Sequence, residues 1–295
     1  MTQPVLPLEL HELIIETIGD EDIGDALEPP LFRLKDTVLR TLRSCSLVCR
    51  DWHSFTLRHI FRTACLDLRS EERGLKRITA LSQLLDANPS IKRCIRRVEM
   101  YLRSTSSREA VERVCHAISP IETMHLVIDY YQPEHPPSHT SPLAGLHPIL
   151  TTQHLRDLTI SSERLPLHLL EDLTNLRSLT LQGVRTLDID YDHDGTWRSS
   201  TLEKLVVSHP YAIVVLNQIW AATLGNRNVG LAAFFDRLKY LRLDLNTGSL
   251  TRGTSWASLL ARWRCLETLD VQWRLTGEFL YISALTVPNT NRLHF

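Results

Sequence analysis

No apolar run reaches the ~20 residues that a membrane-spanning helix requires. The longest candidate, YAIVVLNQIWAATLG, is broken by Asn217 and Gln218. No basic segment precedes the first apolar residues, so the start does not read as a secretory signal. Nor is there a surplus of one charge: a formal net charge of -1 predicts no global attraction to nucleic acid or to an anionic membrane. A glycine-rich phosphate loop, a Gly-x-Ser-x-Gly elbow and a His-Glu-x-x-His helix are all missing, and Ser, His and Asp without local context do not make a triad. No catalytic residue, metal site or cofactor is expected, and the protein does not read as an enzyme. The six cysteines, at 45, 49, 65, 94, 115 and 265, form no short disulfide framework and read as buried thiols in a reducing compartment. Cytosol or nucleus is the expected location.

What is present is a globular composition with a repeat. At 295 residues the chain can hold one large domain or two ordinary ones, burying about 75% of the surface its unfolded form exposes. Hydrophobic residues at 43% and charged residues at 23% exclude wholesale disorder. From about residue 64 onward a Leu-x-x-Leu-x-Leu pattern recurs, any aliphatic residue standing for Leu. It is met as IRRVEM (Ile95, Val98, Met100), IETMHL (Ile121, Met124, Leu126), LRDLTI (Leu155, Leu158, Ile160) and LRSLTL (Leu176, Leu179, Leu181). LEKLVV (Leu202, Leu205, Val207), LKYLRL (Leu238, Leu241, Leu243) and LETLDV (Leu266, Leu269, Val271) follow. Their starts step by 26, 34, 21, 26, 36 and 28 residues, bracketing the leucine-rich-repeat period of about 20–29 with insertions.

Between the matches the period changes from two to 3.6. LKRITALSQLLDANP, SREAVERVCHAIS, LPLHLLEDL, AIVVLNQIWAATLG and SWASLLARW each carry aliphatic residues three and four apart, as a helix packed on one face does. Alternating strands and helices call for parallel strands with crossover connections. Units that touch only their neighbours form a solenoid. The expected fold is thus α/β: a short N-terminal helical region, residues 1–62, then a leucine-rich-repeat-like solenoid, residues 63–295, with a curved parallel sheet and outer helices. CLDL, residues 65 to 68, reads as a first, capping strand, and FLYISALTVPNTNRLHF as an incomplete or non-standard cap at the other end.

Side chains alternate along each strand, so the residues between the leucines share the opposite face. They include Arg97, Glu99 and Tyr101; His125; Asp157 and Thr159; Thr180; Lys204; Tyr240 and Arg242; and Asp270. Side by side they would tile one surface whose Tyr, Arg, His and carboxylates suit recognition of a protein target.

The N-terminal region carries two apolar helical patterns. VLPLELHELIIETI, residues 5 to 18, holds Leu6, Pro7, Leu10 and Ile14. TLRSCSLVCRDWHSFTLRHIF, residues 41 to 61, reads as one amphipathic helix whose stripe is Leu42, Cys45, Val48, Cys49 and Trp52. A Leu-Pro-x-Glu-Leu opening followed by Val-Cys-Arg-x-Trp resembles the F-box, and the second region resembles the degenerate leucine-rich repeats that often follow an F-box, notably in large fungal families. The resemblance implies that those nine residues bind a Skp-family adaptor and, through it, a cullin, and that the repeat surface receives an unknown protein substrate for ubiquitination. Two departures stand out. Residues 19 to 38 separate the halves by more than the short loop usual in the family, and the Asn expected after the last leucine of a repeat appears only at Asn246.

Other motifs are weaker. In DIDYDHDG, Asp190, Asp192, Asp194 and Gly195 match the start of a calcium loop, but Arg198 and Thr201 stand at positions nine and twelve, so a solvated acidic loop is expected instead. Cys45, Cys49 and His53 share zinc-like spacing without a fourth ligand. His135, His139, His147 and His154 fall in or beside a Pro-rich loop, and KRCIRR, residues 92 to 97, reads as a solvated strand entrance. The expected function is that of a non-catalytic ligase substrate receptor. The alternatives are a repeat scaffold without ligase association and a calcium- or metal-dependent enzyme using the Asp190 loop.

Overall fold

The computed structural model describes residues 8–20, 36–103, 106–118, 120–129, 142–170, 173, 175–188, 201–209, 215–216, 218, 237–246, 265–275 and 278–286. Three helices come first: α1 (Leu8–Asp20), α2 (Asp36–Cys45) and α3 (Arg50–Ile60). A nine-stranded sheet follows, of β1 (Thr63–Asp67), β2 (Arg97–Arg103), β3 (Thr123–Asp129), β4 (Asp157–Ser162), β6 (Ser178–Gln182), β8 (Lys204–Ser208), β9 (Tyr240–Asn246), β10 (Thr268–Leu275) and β11 (Glu278–Thr286). Its first eight strands are parallel and lie in chain order, and β11 turns back antiparallel on β10. Two short strands, β5 (Arg164–Pro166) and β7 (Thr186–Asp188), pair in a separate parallel sheet.

Helices fill the early crossovers: α4 (Glu71–Ala87) and α5 (Pro89–Cys94) after β1, α6 (Arg108–Ile118) after β2, and a 3-10 turn (Pro142–Leu146) with α7 (His147–Leu150) after β3. The sequence explains three of them. Pro89 opens α5, where its missing N–H costs nothing. Before α6, the Ser107 hydroxyl accepts the Ala110 N–H at 3.3 Å, and Ala110, Val111, Val114, Cys115 and Ile118 turn inward at helical spacing. Gly145 lets the 3-10 turn approach α6 closely, since a Cβ there would lie 2.7 Å from the Arg108 carbonyl oxygen.

One register runs through all eight parallel strands. Ala64, Val98, Met124, Leu158, Leu179, Leu205, Leu241 and Leu269 form one row, and Leu66, Met100, Leu126, Ile160, Leu181, Val207, Leu243 and Val271 form another. Of the twenty-one aliphatic positions in the seven motifs, all but Val271 are buried, in one continuous core. A backbone repeat accompanies them. The carbonyls of Arg62, Arg96, Glu122, Arg156, Arg177, Glu203 and Lys239 each accept two consecutive N–H groups from the next strand entrance, at 2.8 to 3.1 Å. The same step is therefore taken seven times.

The helical region has its own small core of Ile15, Val38, Leu42 and Cys45, with Trp52, Phe55 and Ile60 packed against it. Here the expected single helix over residues 41 to 61 is corrected. The chain breaks between Cys45 and Arg50: Ser46 turns its hydroxyl back to the Arg43 carbonyl at 2.6 Å, offering the backbone a substitute for the next helical turn. LPLHLLEDL is corrected too. It gives β5 and a 3-10 turn (Leu167–Leu170) rather than a longer helix, the repeat being the shortest of the series. The first three residues of CLDL lie on β1 at the sheet edge, as expected of a capping strand, and the antiparallel β11 makes the far end non-standard. The Asp190 loop, His135, His139 and the SWASLLARW segment lie outside the described residues, as does nearly all of AIVVLNQIWAATLG. No helix among the described residues is long and apolar enough to cross a membrane.

Candidate functional site

Two surfaces carry the residues singled out from sequence. The first is the sheet face opposite the leucines. The register puts Arg97, Asp157, Lys204 and Tyr240 in one row and Glu99, His125, Thr159, Thr180, Arg242 and Asp270 in another. Tyr101 belongs to a third row, with Ser161, Gln182, Ser208, Asp244 and Gln272. All eleven tentative target-contact residues thus share a face. They are not equally available.

Glu99 and His125 are buried, 1% and 4% exposed, so they cannot meet a target as surface groups. This corrects the expectation that alternation leaves them open. They belong to a relay across four strands: the Tyr101 hydroxyl donates to Glu99, His125 Nδ1 lies 3.8 Å from Glu99 Oε1, His125 Nε2 is 3.1 Å from Ser161 Oγ, and Ser161 donates to Gln182 Oε1 at 2.8 Å. Burial holds the His125 imidazole below its ordinary pKa, with Glu99 opposing. The acid–imidazole–hydroxyl order suggests a nucleophilic triad, but the geometry does not fit one. The carboxylate stands beyond hydrogen-bond distance of the imidazole, the Ser161 proton goes to Gln182, and β4 is paired on both sides, which draws nearby backbone N–H groups into the sheet.

A second network spans β8 to β10. Ser208 donates to Asp244 Oδ2 at 2.6 Å, while Arg242 gives Nε to Asp244 Oδ1 at 3.1 Å and Nη2 to Gln272 Oε1 at 2.6 Å. Tyr240 donates to Asp270 at 3.1 Å and lies under the Lys204 ammonium, 5.3 Å from the ring centroid. Burial and the Asp270 charge both push the Tyr240 phenol up. Between the two networks run the half-buried Thr159, Thr180 and Val206. At the β1 edge, Arg69 forks onto Asp67 at 2.9 and 3.0 Å, lowering that carboxyl, and lies over the Tyr101 ring at 5.0 Å. Arg97 and Asp157 share the strand-entrance row, and there Asp157 is exposed and Arg97 half-buried.

The second surface is the helical region. Among the nine expected adaptor residues, Leu10 and Ile14 on α1, with Val48 and Cys49 in the turn before α3, are exposed. Leu42 and Cys45 are buried in the region's own core, and Trp52 is half-buried with its ring edge-on to His11, the centroids 5.5 Å apart. Leu6 and Pro7 lie outside the described residues. The break at residues 46–49 is what splits the set, sending its first residues inward and Val48 outward. Leu13 and Leu47 join the exposed group without having been singled out. Cys45 and Cys49 are likewise parted, and no cluster of three metal-ligating side chains occurs among the described residues.

The chain matches no known family and no curated protein.

Proposed function

We propose that the chain is a substrate-recognition subunit of a Skp–cullin–F-box type ubiquitin ligase, and that its repeats form a leucine-rich-repeat solenoid. The observation that carries the first part is the apolar surface of the helical region. Leu10, Leu13, Ile14, Leu47 and Val48 are 44%, 56%, 38%, 86% and 64% exposed, on a unit whose own core holds four residues. Such a concentration of large apolar side chains in water fits a protein-docking face. The second part is supported by the chain-ordered sheet, the shared register and the seven doubly accepting carbonyls, which fit units stacked by one repeated step.

In this reading the helical face tethers the adaptor and the polar sheet face holds a protein target, so that ubiquitin transfer is promoted by effective concentration without a nucleophile from this chain. Cytosol or nucleus fits that role. Substituting Leu10→Asp together with Val48→Asp is expected to abolish co-purification of a Skp-family adaptor while the far-UV spectrum is retained. Full adaptor recovery from the folded double variant would overturn the assignment. A second reading, a repeat scaffold without ligase association, draws on Leu42, Cys45 and Trp52 being covered by their own helices. It predicts the same target partners with or without residues 1–62 and no cullin in either case.

A further inference from the structure

Where the helical region meets the first repeat there is a cleft of about 670 Å³. Arg58, Arg62, Arg93 and Arg96 line it from α3, the turn after α3, α5 and the approach to β2, against Glu12 and Glu16 of α1. Four arginines against two glutamates in the lining make a local cationic excess in a chain whose net charge is -1. Two of these cations act on Cys94 in the wall: burial pushes its thiol up, and Arg58 and Arg96 pull it back down. Two of the arginines are held by loose pairs. Arg58 lies 3.5 Å from Glu12 and Arg96 3.2 Å from Glu122, all four side chains being about half exposed, and such solvated pairs exchange partners readily. Phe55 adds an apolar wall, with the Arg58 guanidinium 5.7 Å from its ring centroid.

We propose that this cleft binds a small organic phosphate, its phosphate oxygens taken by the arginine forks and its ring moiety by Phe55. Planar guanidinium groups match phosphate oxygens two at a time, and several converging on one site favour a multiply charged anion. The volume lies within the range of about 300–1,000 Å³ typical of small-ligand sites and exceeds what a bare phosphate fills. Because α1, α3 and α5 all contribute, the ligand would also fasten the helical region to the first repeat. This inference does not depend on the ligase reading.

Isothermal titration of the full chain with ADP as probe tests it. ADP is expected to bind, to bind less tightly as salt rises, and to lose about tenfold or more in affinity to the Arg62→Ala/Arg93→Ala variant. Lys76→Ala, which breaks only the exposed pair with Glu72 on α4, leaves binding unchanged. Saturating ADP also slows alkylation of Cys94 by N-ethylmaleimide, with no change at the exposed Cys49 and Cys265. Absence of ADP binding, equal affinity in the double variant, or binding of a short phosphoserine peptide without binding of ADP would each overturn the proposal. Should the double variant not fold, unaltered Cys94 alkylation in the native chain overturns it alone.

Discussion

The helical region and the parallel sheet dispose of the same kind of side chain in opposite ways. In the sheet, twenty of twenty-one motif positions are buried in one continuous core. In the helical region four residues make a core and five large apolar side chains stand in water, against one such residue, Leu84, in the rest of the described chain. The cause is what each element has beside it. A parallel strand in a chain-ordered sheet has a like strand on either side and a crossover over its leucines, so every new unit covers the last. Among the described residues the three helices pack on one another and, through α3, on α5, and an apolar face that these contacts do not use stays open. Periodicity announces a face; the number of neighbours decides whether it is covered.

That comparison breaks most violently at the centre of the sheet. Leu126→Ala removes a fully buried side chain whose row neighbours Met100 and Ile160 are fully buried too, and is expected to cost about 2–5 kcal/mol. Ile15→Ala deletes comparable volume from a core of four. If the two cores are separate cooperative units, urea unfolding followed in the Leu126 variant shifts the major transition, while the Ile15 variant shifts only a minor, earlier one. A single transition moved equally by both would erase the distinction.

A smaller but cleaner loss is expected from Gly145→Ala. The added methyl meets the Arg108 carbonyl oxygen at 2.7 Å and Val111 Cβ at 3.1 Å, so the 3-10 turn must lift from α6 at a cost of about 1–3 kcal/mol. Smaller again is the stability effect of Leu10→Asp with Val48→Asp. Both side chains are exposed and the change should stay within about 0.5 kcal/mol in denaturant unfolding. A loss near that of a core substitution would mean that this apolar surface is covered by the chain itself, and the contrast between the regions would go with it.

Legibility follows the same division. The eight parallel strands, their order and the identity of the two faces were readable because a period of two repeated seven times leaves little freedom, whereas the antiparallel β11 was not. Register was readable too, since slipping by one residue would expose a whole row of leucines. The break between Cys45 and Arg50 was not, because the apolar stripe continues through it and only the Ser46 side chain argues for a stop. Burial of Glu99 and His125 was equally hidden: alternation assigns them to the polar face, and nothing local says that this part of the face is closed. The second sheet of β5 and β7 escaped for want of length, three residues each being too few to show a period. The arginine cleft joins residues from α1 to β2 and has no signature along the chain beyond KRCIRR.

His125 gives the finest test of how the sheet treats a polar group that it has enclosed. Burial holds its folded pKa below the ordinary value near 6.5, while the unfolded chain titrates at that value. Between the two the unfolded state binds more protons, so this contribution to stability is complete above about pH 6.5 and falls as pH drops through that window. His209 is shifted the same way by burial and by Arg185, so the wild-type slope contains both. The depressed Asp67 carboxyl acts only at lower pH, where its pairing with Arg69 is lost by protonation. His125→Gln should therefore flatten, without abolishing, the decline of stability below about pH 6.5, as read from urea midpoints on either side of it. An unchanged slope would mean that Glu99, 3.8 Å away, keeps the imidazolium as stable inside as in water. The polar relay would then behave like the solvated surface that alternation alone implies.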